Sequence, residues 1–176
     1  VINYAVVQSK TDDLFYNNHG VDKAYFSGGS IYSQRYNSTD FQDSMTVLYG
    51  HNRQSQTMFA QLNNFADAAY FDANRDIYIY TPETVYRYEI FAAGEVSVDS
   101  DVYRLGLRSD SSRQSFLDSC LSLSALNTGV TPHVYDKVLT LSTCFNRNNR
   151  QRYIVQAVLV DEMKAVFNPA DSAEGN

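Results

Sequence analysis

Val138-Leu139-Thr140-Leu141-Ser142-Thr143-Cys144, followed after a short polar segment by Arg152-Tyr153-Ile154-Val155-Gln156-Ala157-Val158-Leu159-Val160, is the stretch that decides the fold. Both runs are rich in β-branched and apolar residues of strand type, and the segment between them, polar apart from Phe145, reads as a loop. In the first run, Val138, Thr140, Ser142 and Cys144 share one face, and Leu139, Leu141 and Thr143 share the other. The first of these faces is small and polar, a poor core face but a reasonable floor for an extended peptide. If the two strands pair as antiparallel neighbours, their connection brings Cys144 and Arg152 together at one end.

The same signals predict further strands. The full set is 3–8, 45–49, 77–81, 84–93, 137–142 and 153–160. Thr81-Pro82-Glu83-Thr84 supplies turn chemistry between two aromatic runs, so 78–88 reads as a hairpin. Many of the 14 Tyr fall in such alternating runs, where a ring packs while its hydroxyl stays wet. Helical signals are fewer: one turn at 12–16 capped by Thr11 or Asp12, a segment at 58–62 capped by Ser55 or Thr57, and a short Ala-rich piece at 67–72. The strongest spans 111–123, with Phe116, Leu117, Cys120, Leu121 and Leu123 at helical spacing and a Ser to cap its start.

Composition bounds the function. The chain has 176 residues, 44% hydrophobic and 19% charged, a globular balance that fits one domain over 1–167 with a frayed tail at 168–176. A net charge of −6, from 20 acidic and 14 basic residues, disfavours nucleic acid as a partner. No apolar run is long enough to span a bilayer. The chain opens directly on a strand, Val1-Ile2-Asn3-Tyr4-Ala5-Val6-Val7, which reads as a piece trimmed from a longer protein. Two cysteines without Cys-x-x-Cys or zinc-type His/Cys spacing give no metal site and no cofactor.

Three residues carry the candidate chemistry. Cys144 stands at a strand-to-loop edge, where catalytic groups are commonly presented. An unassisted thiol is only a few per cent ionised at neutral pH, so it needs a proton acceptor and donors for an oxyanion. His51 follows the strand Met45-Thr46-Val47-Leu48-Tyr49 and Gly50, well placed to face a cleft. Arg152 opens the last strand and offers a fixed charge and paired donors, with Arg150 as its competitor in a cluster that includes Arg147. The structural alternatives stand beside these readings: a partly buried Cys, a structural His, a solvated Arg cluster. His19 and His133 read as loop residues without a task, and Cys120 as a buried core thiol.

In their local strings these residues resemble the sortase family, class B. Leu48-Tyr49-Gly50-His51-Asn52 is similar to its catalytic-His motif, Thr140-Leu141-Ser142-Thr143-Cys144 to its catalytic-Cys motif, and Arg152 before Tyr153-Ile154-Val155 to its arginine. The order His, Cys, Arg agrees. Ile2–Gln8, Phe15-Tyr16-Asn17-Asn18-His19 and Gly29-Ser30-Ile31-Tyr32 resemble the early strands and turn of that class, and the 111–123 helix resembles its inserted helix.

The resemblance implies a mainly β fold with short helices: a closed eight-stranded sortase-type β-barrel with a helix in the long loop before the Cys strand. It implies an extracellular cysteine transpeptidase at the cell wall of a Gram-positive bacterium. Such an enzyme cleaves a C-terminal sorting motif of secreted proteins through a thioacyl on Cys144 and passes the acyl group to a peptidoglycan precursor of the lipid II type. His51 is then the acid and base, and Arg152 holds the substrate carbonyl. Ser142 and Thr143 line the floor, Tyr103 is a further substrate contact, and a membrane anchor precedes the chain. Phe145 departs from the pattern, since class B members often carry an acidic residue there. Three other readings remain open: a pilin polymerase with a Lys acceptor, a plain cysteine protease, and a non-catalytic peptide-binding module.

Overall fold

The computed structural model describes residues 2–144 and 150–166, with Cys144 described through its backbone. Phe145, Arg147 and the expected tail at 168–176 lie outside the described residues. Seven strands form one sheet in the order β1-β2-β3-β6-β7-β5-β4. They are β1 (Val6–Gln8), β2 (Ile31–Ser33), β3 (Met45–Tyr49), β4 (Asp76–Tyr80), β5 (Thr84–Ser97), β6 (Val138–Cys144) and β7 (Gln151–Lys164). Among the described residues, two α-helices, α1 (Ala68–Ala73) and α2 (Asp110–Leu123), and three 3₁₀ segments accompany the sheet.

The two runs that open the chain's case for a β fold become the central strands. β6 pairs antiparallel with β7 and parallel with β3, so the three stand side by side. Leu139 and Leu141 of β6 join Leu48, Tyr153, Val155 and Ala157 in one buried cluster. Val138, Ile154 and Val158 face the other way, into a second cluster closed by Phe116, Leu117 and Cys120 of α2. Both faces of the sheet centre are therefore covered, which locks the register: a slip of one residue would exchange the two sets.

The sheet curls into a half-barrel. Residues of β1 and β4, its two outer strands, line the same apolar cleft of about 790 Å³ together with Leu48, Leu141 and Val155. The expected mainly β architecture with a helix before the Cys strand is what forms. The ladder among the described residues has seven strands rather than eight and does not close. β1 is three residues long and pairs only with β2, and β4 pairs only with β5.

Local departures have local causes. The expected hairpin forms as β4 and β5, with the Thr81 N–H donating to the Thr84 carbonyl at 2.9 Å. The segment expected as a helix at 58–62 becomes a 3₁₀ turn over Ala60–Ala66. Met58 sits at φ 57° and bridges to Asn52, so it belongs to the loop, and the Ser55 and Thr57 hydroxyls bond each other instead of capping. The turn near 12–16 forms at Phe15–Asn17 without a side-chain cap, because Asp12 accepts from the Leu14 N–H instead. Asp67 caps α1, accepting from the Ala69 and Tyr70 N–H groups, and Ser109 and Ser112 make a reciprocal capping box on α2. Of the five apolar positions read on α2, Phe116, Leu117 and Cys120 are buried, while Leu121 and Leu123 are partly exposed at the rim.

Candidate active site

β3 ends at Tyr49, the register partner of Ser142 on parallel β6. The Gly50 N–H continues that ladder by donating to the Ser142 carbonyl at 3.1 Å. The chain then turns back, and the Phe59 N–H donates to the His51 carbonyl at 3.0 Å. Gly50 is required for this turn: a Cβ there would lie 2.5 Å from Ile31 Cδ1 and 2.8 Å from the Phe59 ring. Gly50→Ala should therefore lower stability by about 1–3 kcal/mol through overpacking, read from the denaturant midpoint. An unchanged midpoint would mean that the ring and Ile31 move aside freely.

On the other side of β6, Cys144 and Arg152 are direct register partners in the antiparallel ladder with β7. Residues opposed in this way have Cβ atoms about 5 Å apart and share a face. Cys144 and Arg152 thus stand opposite each other on β6 and β7, and His51 follows two residues beyond the end of β3, on the other side of β6. Arg152 is half-buried, opposite Val96 of β5, and its Nη1 donates to the Gln151 carbonyl at 3.0 Å. Burial pushes the Tyr49 phenol above its ordinary pKa while the Arg152 charge pulls it back, which places the guanidinium in electrostatic reach of the β3 end of the site.

An aromatic row borders this site. Tyr32 on β2 stacks on its register partner Tyr49 at 5.5 Å between centroids, and Tyr49 stacks on Tyr103 at 6.4 Å. Tyr103, from the 3₁₀ turn before α2, meets Ser142 through its hydroxyl at 2.8 Å. Ser142 does lie on the expected face, but the Tyr103 hydroxyl covers it and leaves it 1% exposed. Thr143 does not join the floor. The period of two turns it away from Ser142, and its buried hydroxyl has no hydrogen-bond partner among the described residues. Tyr32 and Tyr49, which the sequence motifs do not single out, border the candidate site through this stacking.

The competing residues are accounted for. Arg150 is exposed, precedes β7 and pairs with Asp99 at 3.1 Å. Cys120 is wholly buried on the inner face of α2, and burial pushes its thiol up to about 12, so it stays protonated and inert. His19 stacks on Phe15 at 4.0 Å with Nδ1 on the Phe15 carbonyl at 2.7 Å, which is structural work. His133 is exposed in the loop before β6.

The sequence profile of the sortase domain matches residues 2–160. The chain belongs to the sortase family. It is 29% identical over 161 residues to sortase B of Listeria monocytogenes, covering 90% of this chain and 65% of that protein. The structure of a Staphylococcus aureus sortase B–substrate complex superposes with a TM-score of 0.83 at 28% identity, over 90% of this chain and 74% of that one. Clostridium perfringens sortase B superposes with a TM-score of 0.81 at 29% identity, over 90% and 87% of the two chains. These relatives are all sortase B proteins, so the class B resemblance of the sequence is borne out. The chain spans a little under two thirds of the length of its Listeria relative.

Proposed function

We propose that this chain is the catalytic domain of a cysteine transpeptidase that joins secreted proteins to the cell wall of a Gram-positive bacterium. The observation that carries the reading is the pairing of Cys144 with Arg152 across β6 and β7, beside the end of β3 from which the chain runs on to His51. A nucleophile, a proton carrier and a cation are the set that acyl transfer needs, and this reading gives those roles to Cys144, His51 and Arg152.

The steps follow from the chemistry of the three groups. His51 takes the Cys144 proton, and the thiolate attacks the carbonyl carbon of the scissile amide. Arg152 donates to the oxygen as negative charge develops there. The C–N bond breaks as His51 returns its proton to the leaving amine, and a thioester remains on Cys144. An incoming amine then attacks the thioester, its proton passes to His51, and the C–S bond breaks to free the thiolate. The half-buried rings of Tyr49 and Tyr103, backed by buried Tyr32 and Ser142, form the wall along which the extended sorting segment lies. The acyl donor is a C-terminal sorting motif of a secreted protein, and the acceptor is an amino group of a peptidoglycan precursor.

The direct test supplies a sorting-motif peptide with a wall-type amine (oligoglycine or a diamino acid), with a pilin domain, or with neither. Amide product with the wall amine supports the reading. Product with the pilin Lys alone would make the chain a pilin polymerase instead, and cleavage at one rate with no amine incorporated would make it a protease.

Arg152→Ala should lower kcat/KM by about 10² or more, as loss of an oxyanion donor does, and Arg150→Ala should leave it unchanged. The contrast rests on placement: Arg152 is Cys144's register partner, while Arg150 precedes β7 and pairs with exposed Asp99. The reverse outcome would assign the role to Arg150.

A further inference from the structure

His51 is held by something that no motif reveals. Its Nε2 lies 2.7 Å from the main-chain carbonyl oxygen of Asn17, in the turn between β1 and β2. A carbonyl only accepts, so Nε2 must carry the proton. That leaves Nδ1 as the one ring nitrogen free to exchange protons.

The placement of this carbonyl is itself built. Three successive carbonyls, of Tyr16, Asn17 and Asn18, run along the turn. The Ser30 N–H takes the first at 2.9 Å and the Phe26 N–H takes the third at 2.9 Å. Only the middle carbonyl is left to reach His51. Gly29 lies directly against it: a Cβ there would come within 2.6 Å of the Asn17 oxygen, 2.7 Å of the Tyr16 oxygen and 2.9 Å of the Asn17 carbonyl carbon. Those are backbone atoms, which cannot swing aside as a side-chain tip can. Gly29 also sits at φ +58°, where a side chain is strained in any case.

We propose that Gly29 and the Asn17 carbonyl are a positioning device for the transpeptidase reaction: Gly29, by lacking a Cβ, lets the Asn17 carbonyl hold His51 in its Nε2–H form, and Nδ1 is the atom that carries the proton between Cys144, the leaving amine and the incoming amine. This rests on the acid–base role given to His51 above. Nε2–H stays bound to Asn17 through every step, so the ring does not turn over between acylation and deacylation. A ring released from Asn17 would spend part of its time aimed elsewhere, which lowers kcat without touching the binding of the sorting peptide.

The experiment pairs two glycines. Gly129 also lies at positive φ, +75°, but a Cβ there meets nothing within 4 Å. Gly129→Ala therefore carries the backbone strain without a collision, and serves as the control for it. In the parent chain, ¹⁵N spectra of the His51 ring should show a protonated Nε2 with a slowly exchanging Hε2 proton. Gly29→Ala should lose that slow proton and drop kcat on the order of tenfold to a hundredfold with KM for the peptide unchanged. Gly129→Ala should keep both. Should Gly29→Ala not fold, replacing Asn18 by its α-hydroxy acid turns the Asn17 carbonyl into a weaker ester acceptor and adds no Cβ; the same loss of slow Hε2 is expected. A protonated Nδ1 with bare Nε2 in the neutral ring, or a Gly29→Ala protein that keeps the slow proton and the kcat of Gly129→Ala, would overturn the proposal. The ring spectra do not depend on turnover, so a chain that processes no sorting peptide, yet shows the Nε2–H signature, would count against the proposed function and not against the Asn17 contact.

Discussion

Cys144→Ala should abolish turnover of a sorting-motif peptide, by a factor on the order of 10⁶ where the background permits its measurement, as removal of a hydrolase nucleophile does. The reason is stoichiometric: without the sulfur no thioacyl can form, and Arg152 and His51 have no intermediate to stabilise. Intact-mass spectrometry gives the sharper readout. The parent chain incubated with peptide and no amine should gain the mass of the acyl fragment, and peptide mapping should place it on Cys144. Cys120 should gain nothing, because its thiol is buried on the inner face of α2 with its pKa pushed up to about 12. An adduct on Cys120, or turnover surviving in Cys144→Ala, would remove the basis of the proposed function. Survival of peptide binding alone would not, since the aromatic wall of Tyr32, Tyr49 and Tyr103 does not include the thiol.

His51→Ala should come nearly as low, by about 10³ to 10⁴ in kcat, at the upper end of what a positioned acid and base contributes. In the proposed mechanism it acts in both halves of the reaction, giving a proton to the leaving amine and taking one from the acceptor. Both acylation and resolution of the thioacyl should therefore slow in single-turnover experiments. The fold should survive, because His51 is half-exposed and its ring bonds a single carbonyl, that of Asn17. If only resolution slowed, the proton for the leaving amine would have another source. His19→Ala is the matching control. It removes a ring that stacks on Phe15 and should alter stability more than rate.

The site was legible to different depths at different residues. Cys144, His51 and Arg152 announce themselves through short local strings, and the register of β6 with β7 follows from their short connection. Ser142 and Tyr103 were read as substrate contacts, yet the hydrogen bond between them binds the β6 floor to the turn before α2. Thr143 shows the limit of reading a motif as a block. It adjoins Cys144 in sequence and faces the other side of the sheet, where its hydroxyl is buried. Strand ends were misjudged for a related reason. β5 and β7 run on to Ser97 and Lys164 because they pair along their whole length, which carries Asp161 and Glu162 into the ladder without any apolar alternation.

By itself the sequence determined the mainly β class, the hairpin at 78–88 and the helix before the Cys strand, and it named the three residues to which the proposed function gives the chemistry. Those depend on side-chain period, turn chemistry and residue type, all of which act within a dozen positions. Only the tertiary structure decided that β3 lies parallel to β6, which brings the chain leading to His51 beside the Cys144 strand, and that the Asn17 carbonyl, with Gly29 against it, reaches the imidazole. It also decided that the sheet leaves β1 and β4 unpaired with each other. These are pairings between segments far apart in the chain, chosen by how two buried faces pack and by which backbone groups are left to bond, and no local pattern records them.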